Sequence, residues 1–483
     1  MASYKHGVYA SEQPTSMVAP ISGTAGLQVV IGTAPVNMLK NPAEAVNKPK
    51  LVTTYAEAVA AVGYNPDFAS YTICESISAS FQVVGVAPMV FINVLDPEKH
   101  KADMAETVIQ VNGGKAVLEV AGVLLNKMVV KAEEVTLTAG EDYTTAWNAD
   151  GTLNIVVIPG GKADKATALT VSGEKLDPSK VTPADIVGSV DADTGKETGM
   201  EVLRQIYPLL SMLPGLVIAP RFSKHPIVAA AMQAKTKELN GVFKCNCIVD
   251  IDSSATGATK YADVKKTKEA QAVSDPNAYA VWLYGKIGDV VYSGSALAAA
   301  LTAYTDVQND DTPNVSPSNK TVNITAACLE DGTEVLLDQE QANIVNSYGV
   351  ATWLNMNGFR LWGNNTAAYP GTTDPKDRWF SVRRFLNWAA NTFILTYFSK
   401  VDSPANKRLI EAIVDSENVR GNGFVARGVC ARYETTFNED ENTTADLLNG
   451  KLTFHQYITP FTPAEDIEDV IEFDPNALSG ALS

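Results

Sequence analysis

LQVVIGTAP, residues 27–35, is a short apolar run rich in β-branched residues and closed by Gly and Pro, the texture of a strand buried on both faces. Working outward, residues 55–63 (YAEAVAAVG) and 71–84 (YTICESISASFQVV) space their apolar side chains as helices do, and 88–95 (PMVFINVL) is a second buried strand. Strand, helices, strand is the order of a parallel βαβ crossover, so the chain opens an α/β sheet. The alternation resumes with a helix at 199–211 and a strand at 216–220 (LVIAP). It continues with a helix at 227–240, a strand at 242–251 (VFKCNCIVDI), a helix near 261–272, a strand at 278–285 and a helix at 294–306. Between the two stretches the texture is VIQVNGG, KAVLEVAG and LNIVVIPGG, strand-length pieces cut by Gly, Asn and Asp turns. The expected fold class is therefore α/β multidomain. An α/β core (27–95 plus 199–308) is interrupted by an inserted all-β domain (96–198).

Beyond the turn-rich residues 309–320 the pattern reads as a second α/β domain, 321–483. Its longest helix is expected at 378–398, where Trp379, Val382, Phe385, Leu386, Ala389, Phe393, Ile394 and Tyr397 share one face and Arg383 and Arg384 lie off it. A helix at 403–416 opens with a Ser cap and a Pro in its first turn. Two β-like tracts follow at 451–460 and 466–475. Residues 1–26, short of apolar periodicity and rich in Ser, Thr, Pro and Gly, read as an extended arm.

The chain has 483 residues, with 55 acidic against 38 basic and a net charge of -17, which repels a phosphate backbone and argues against nucleic acid as a partner. Five scattered cysteines form no disulfide framework and indicate a reducing compartment. No leader or membrane-spanning stretch is expected, and with them no direct membrane insertion. Chemistry is thinly represented. The four histidines occupy separate segments without metal-ligand spacing, and Cys245 and Cys247, two apart on a strand, point to opposite faces. GNGFVA (421–426) formally matches a dinucleotide fingerprint, but it follows a helix and precedes a β-like run, so a glycine turn is the expected reading. No catalytic, cofactor or metal residue is nominated. A large chain without a catalytic constellation reads as an assembly component.

Five short motifs, in order along the chain, resemble the tail sheath proteins of contractile phage tails and related contractile injection systems. They are HGVYASE (6–12), VVIGTAP (29–35), GFRLWGNNT (358–366), VRRFLNW (382–388) and PFTPAEDI (460–467). Asn365 stands where the third motif usually carries Arg. The inserted β domain carries no such resemblance, which fits an outward-facing decoration of the cylinder that the resemblance implies. The resemblance implies a structural, non-enzymatic subunit that polymerises as helically stacked six-fold rings around a tail tube, meets baseplate and terminator proteins, and is assembled in a bacterial cytoplasm into a virion tail or headless particle. It also implies strands at both chain ends woven into neighbouring copies. An arm of ~20 residues at about 3.3 Å each reaches ~65 Å, far enough to leave its own domain. Val8 and Tyr9 in the first arm, and Ile467, Val470, Ile471 and Phe473 in a linking strand at about 463–476, are the expected exchange residues. The alternative for that last tract is an ordinary edge strand of its own domain. Lys407 and Arg408, basic on an acidic protein, are the expected contact with the tube. The alternative for them is a solvated helix face.

Overall fold

A computed structural model describes residues 24–474 and, beyond them, Ala477, Gly480 and Ala481. The opening run forms the strand Gln28–Gly32, every residue of it buried, inside an eight-stranded sheet. Met89–Asn93 pairs with it in parallel on one side and Leu216–Ile218 on the other. Asn246–Asp250 and Ala278–Val281 continue in parallel, giving the doubly wound sheet that the strand–helix alternation calls for. Helices cover both faces, which is why these strands read as apolar runs rather than as alternating ones.

The sheet does not stop where the sequence suggests a new domain. Val350–Asn355 pairs in parallel with Ala278–Val281 and carries Phe359–Trp362 as an antiparallel edge, so the core crosses the expected boundary at 321. A short buried run such as VATWL has no local feature that names its sheet; packing decides. The insertion is also shorter than expected. Its strands, from Lys101–Gln110 to Ala168–Leu176, make a four-stranded and a three-stranded antiparallel sheet around Leu118, Val123, Leu153, Ile155, Leu169 and Val171. By Val181 and Ile186 the chain is back in the main core.

The long helix breaks at Trp379, whose extended backbone separates Pro375–Arg378 from Phe380–Tyr397. The Phe380–Tyr397 helix then lies across the N-terminal ends of the sheet strands and is buried on more than its apolar face. Asn387 Nδ2 donates to Asn246 Oδ1 at 3.1 Å and to Asn277 Oδ1 at 2.9 Å. Asn391 accepts from Lys244 N at 3.0 Å, and Arg384 is buried in an ion pair with Asp306.

The next helix is Lys407–Ala426, which begins and ends later than the expected 403–416. Asn406, not Ser403, caps it, and it runs straight through GNGFVA, which is therefore no turn. Gly421 serves close approach instead: a Cβ there would meet Tyr433 O at 2.3 Å. That contact seats the helix against Cys430–Thr436, which pairs antiparallel with His455–Pro460 as a two-stranded ribbon. Phe385, Ala389, Phe424, Val429, Cys430 and Tyr433 form the core beneath. The β-like tract expected at 466–475 forms no strand over its described residues, and all of 466–474 is exposed.

Candidate assembly site

The ribbon is tied down by a buried polar network. Glu417, on the Lys407–Ala426 helix, pairs with Arg420 and accepts from Gln456 Nε2 at 3.0 Å and from the Tyr433 hydroxyl at 3.3 Å. Asn418 takes both backbone groups of Thr435, at 2.8 Å and 3.0 Å. Thr435 therefore faces away from its partner strand. In an antiparallel ladder its cross-strand neighbour Gln456, and by alternation Ile458, must then turn their N–H and C=O outward as well. Among the described residues nothing accepts from or donates to those outward groups. One long edge of the ribbon is open, and two strands alone are a marginal sheet.

From Phe461 the chain leaves the ribbon and runs over the surface. Among the described residues, no backbone hydrogen bond ties 461–473 to the rest of the chain. Its large apolar side chains are displayed to solvent: Ile467 is 85% exposed, Val470 71%, Ile471 89% and Phe473 79%. These are the four residues expected in the linking strand; in this structure they belong to no strand. Were the tract extended, Ile467, Ile471 and Phe473 would share one face with Asp469. Asp466, Glu468, Glu472 and Asp474 would share the other with Val470.

One point holds the tract as it departs. Arg378 donates Nη2 to Glu465 Oε2 at 2.6 Å and Nε to Asn365 Oδ1 at 2.9 Å, with its guanidinium over the rings of Trp379 and Tyr369. Asn365, the departure from the resembled motif, thus orients an arginine that comes from elsewhere in the chain. Sequence reading missed Arg378, because nothing local distinguishes it from a helix-end cation; the Pro-Ala-Glu motif around Glu465 was the available signal.

Val8 and Tyr9 lie outside the described residues. Lys407 and Arg408 are exposed in the first turn of their helix, where the macrodipole disfavours cations, so helix stability does not account for them. They do not continue into a basic stripe: Lys407 meets Glu411 one turn on, at 3.6 Å. The structure does not bring these residues together with the C-terminal tract.

The C-terminal ends of the parallel strands, where doubly wound enzymes keep their sites, are filled. Asp250 accepts from Ser223 Oγ at 2.9 Å and from Ser295 N and Oγ at 2.7 Å and 2.6 Å, capping the Gly294–Gln308 helix. Burial holds its carboxyl up to about 6. Beside it Glu75 pairs with Arg221 at 3.0 Å. The five cysteine thiols are all buried, and burial pushes Cys245 up to about 12 and Cys247 higher still. Among the described residues no three His, Cys, Asp or Glu side chains gather to hold a metal, and no helix is long and apolar enough to cross a membrane.

No family model matches the chain. It is similar over nearly its whole length to the tail sheath protein of Burkholderia phage BcepMu, 26% identical over 483 residues that cover 96% of this chain and 95% of the relative. The tail sheath protein of Escherichia phage P2 is 26% identical over 300 residues, 59% of this chain and 69% of that one. Among solved structures, the contracted PVC sheath complex of an extracellular contractile injection system superposes with a TM-score of 0.57 at 12% identity, over 99% of each chain. The contracted helical sheath of the anti-feeding prophage gives 0.57 at 15% identity, over 98% of this chain and 100% of that one. At these identities the likeness to the solved structures is one of fold; the likeness to the phage proteins is one of sequence, and it runs end to end.

Proposed function

We propose that the chain is the structural subunit of the sheath of a contractile tail or injection particle. Copies stack as six-fold rings into a helical cylinder around a tube, and the 463–474 tract of one copy adds as a strand to the open ribbon edge of another. Strand addition draws its affinity from main-chain hydrogen bonds, so it tolerates repacking of the bodies it joins. Head-to-tail contacts of this kind do not close on themselves and so build filaments. With the Ile471 and Phe473 face turned inward, the added strand extends the apolar row of Ile458 and Tyr433 over the helix below and leaves Asp466, Glu468 and Glu472 on the water side, Asp469 standing on the inner face with Ile467 and Ile471. Contraction then draws on the difference in burial between two lattices rather than on hydrolysis. The tube, through Lys407 and Arg408, the baseplate and the terminator are the other partners, and assembly takes place in the cytoplasm of a bacterial host.

The observation that carries this reading is the pairing of opposites among the described residues: apolar side chains at Ile467, Val470, Ile471 and Phe473 turned to solvent, and a ribbon edge whose N–H and C=O groups meet no backbone partner. Negative-stain microscopy of the purified full-length chain tests it. Hollow striated cylinders are expected. Flat sheets would indicate a surface-layer protein, and dispersed particles at high concentration would indicate a subunit that does not self-assemble.

A further inference from the structure

A cleft of about 610 Å³ opens where the edge strand Phe359–Trp362 ends, between the Gln339–Ser347 helix, residues 316–319 and residues 463–467. Five asparagines, a glutamine and three serines make up half of its eighteen lining residues. The volume falls within the ~300–1,000 Å³ of small-molecule sites, but those are lined mainly by apolar groups and this one is not. A polar surface groove is ordinarily a wet one with freely turning side chains. Here the amides are aimed. Trp362 Nε1 donates to Asn343 Oδ1 at 3.0 Å, and Ser316 Oγ donates to Asn364 Oδ1 at 2.6 Å. Asn346 Nδ2 donates to Val350 O at 2.9 Å and to Trp362 O at 2.8 Å. Each of these bonds uses one end of an amide and so fixes the other. Among the described residues, Asn343 Nδ2, Asn364 Nδ2 and Asn346 Oδ1 meet no partner.

The fold thus holds two donors and one acceptor in place on the wall of the cleft. Hydroxyl groups match that set, since each can give one proton and accept two. Charge narrows the ligand further. Arg378, the one cation among the described lining residues, is spent on Glu465 and Asn365, and Asp466 adds a carboxylate, so phosphate and carboxylate ligands are disfavoured. Trp362 and Tyr369 supply ring surface for C–H groups. We propose that this cleft binds a short neutral oligosaccharide through the free ends of Asn343, Asn346 and Asn364. A peptide suits it less, because a peptide also brings apolar side chains and the wall offers few apolar groups to receive them. The proposal does not depend on the sheath reading, since none of the three amides lies on the ribbon or on residues 461–474.

Saturation-transfer NMR on the full-length chain, with chitotriose and with maltotriose as probes, tests it. At least one of the two should bind with a Kd of about 1 mM or tighter. Asn343→Asp and Asn364→Asp keep the oxygen that the fold uses and remove the free N–H donors. Each should weaken binding at least about tenfold and leave thermal unfolding unchanged. Amides that serve only to brace the wall would leave sugar binding the same in both variants, and that result overturns the proposal. So does the absence of binding by both sugars at about 10 mM. Binding of a synthetic peptide of residues 463–474 in place of the sugars, weakened by the same two substitutions, would mark the cleft as a protein contact and overturn it too. Cylinders formed by a chain without sugar affinity would leave the sheath reading standing, and sugar affinity in a chain that forms none would do the reverse.

Discussion

The main sheet and the terminal ribbon finish their edges in opposite ways. The outer strand Phe359–Trp362 of the main sheet is covered by residues 319–322, which bond to Phe359 O, Leu361 N and Leu361 O. The other edge strand, Lys50–Val52, is three residues long. Both are ordinary means of making an edge unavailable. Among the described residues the ribbon leaves the outward backbone groups of Gln456 and Ile458 unpaired along one side, and residues 461–473 bond to neither. One sheet has its edges covered or kept short; the other shows an edge that nothing among the described residues fills.

The comparison can be broken most forcefully from the completed side. Arg384→Ala leaves the Asp306 carboxyl buried in the core without its partner. It should cost about 3–5 kcal/mol of stability in denaturant unfolding; a loss under 1 kcal/mol would mean that the body does not depend on this pair. A pH series probes the same side. The Asp250 carboxyl is held up to about 6 by burial, against an ordinary unfolded value near 3.9. Between those values the folded state binds the extra proton, so its stability falls as pH rises from about 4 to about 6 and then levels. Asp250→Asn keeps an acceptor for Ser295 N and should remove up to roughly 3 kcal/mol of that decline. Parallel pH profiles for variant and parent would contradict the assignment.

The open side should respond in assembly and not in folding. Ile471→Asp combined with Phe473→Asp should leave subunit stability within about 0.5 kcal/mol. It should raise the concentration needed for polymerisation at least tenfold, since each buried apolar side chain is worth about 1.5–3 kcal/mol. Sedimentation at graded concentrations reads this, and unchanged polymerisation would remove the tract from the interface. The smallest effect belongs to Lys407→Ala with Arg408→Ala. Tube binding should weaken by about 1 kcal/mol or less, and less still at high salt. A salt-independent change would indicate packing rather than charge.

The parallel core was legible because a strand buried on both faces announces itself as an apolar run, as at 27–35 and 88–95. Two features were not. The stripe of Arg384, Asn387 and Asn391 has helical spacing but polar chemistry, and from sequence a polar face reads as a wet one. Here Asn387 and Asn391 bond at the starts of strands, and Arg384 pairs with Asp306. GNGFVA reads as a turn because glycine usually breaks helices, and only the 2.3 Å approach to Tyr433 O shows that the missing side chain is spent on packing. Of the site, the alternating apolar and acidic residues of the last tract read as a strand, yet 466–474 forms none here. Alternation names a strand's faces but not its partner, because a pairing edge is a property of the assembled sheet.

Helical reconstruction of cylinders formed by the full-length chain bears on the central claim most directly. The account predicts continuous density in which residues 463–474 of each copy are hydrogen-bonded along the Gln456–Ile458 edge of a different copy. An intact cylinder in which that tract lies on its own ribbon, or pairs with nothing, would contradict it.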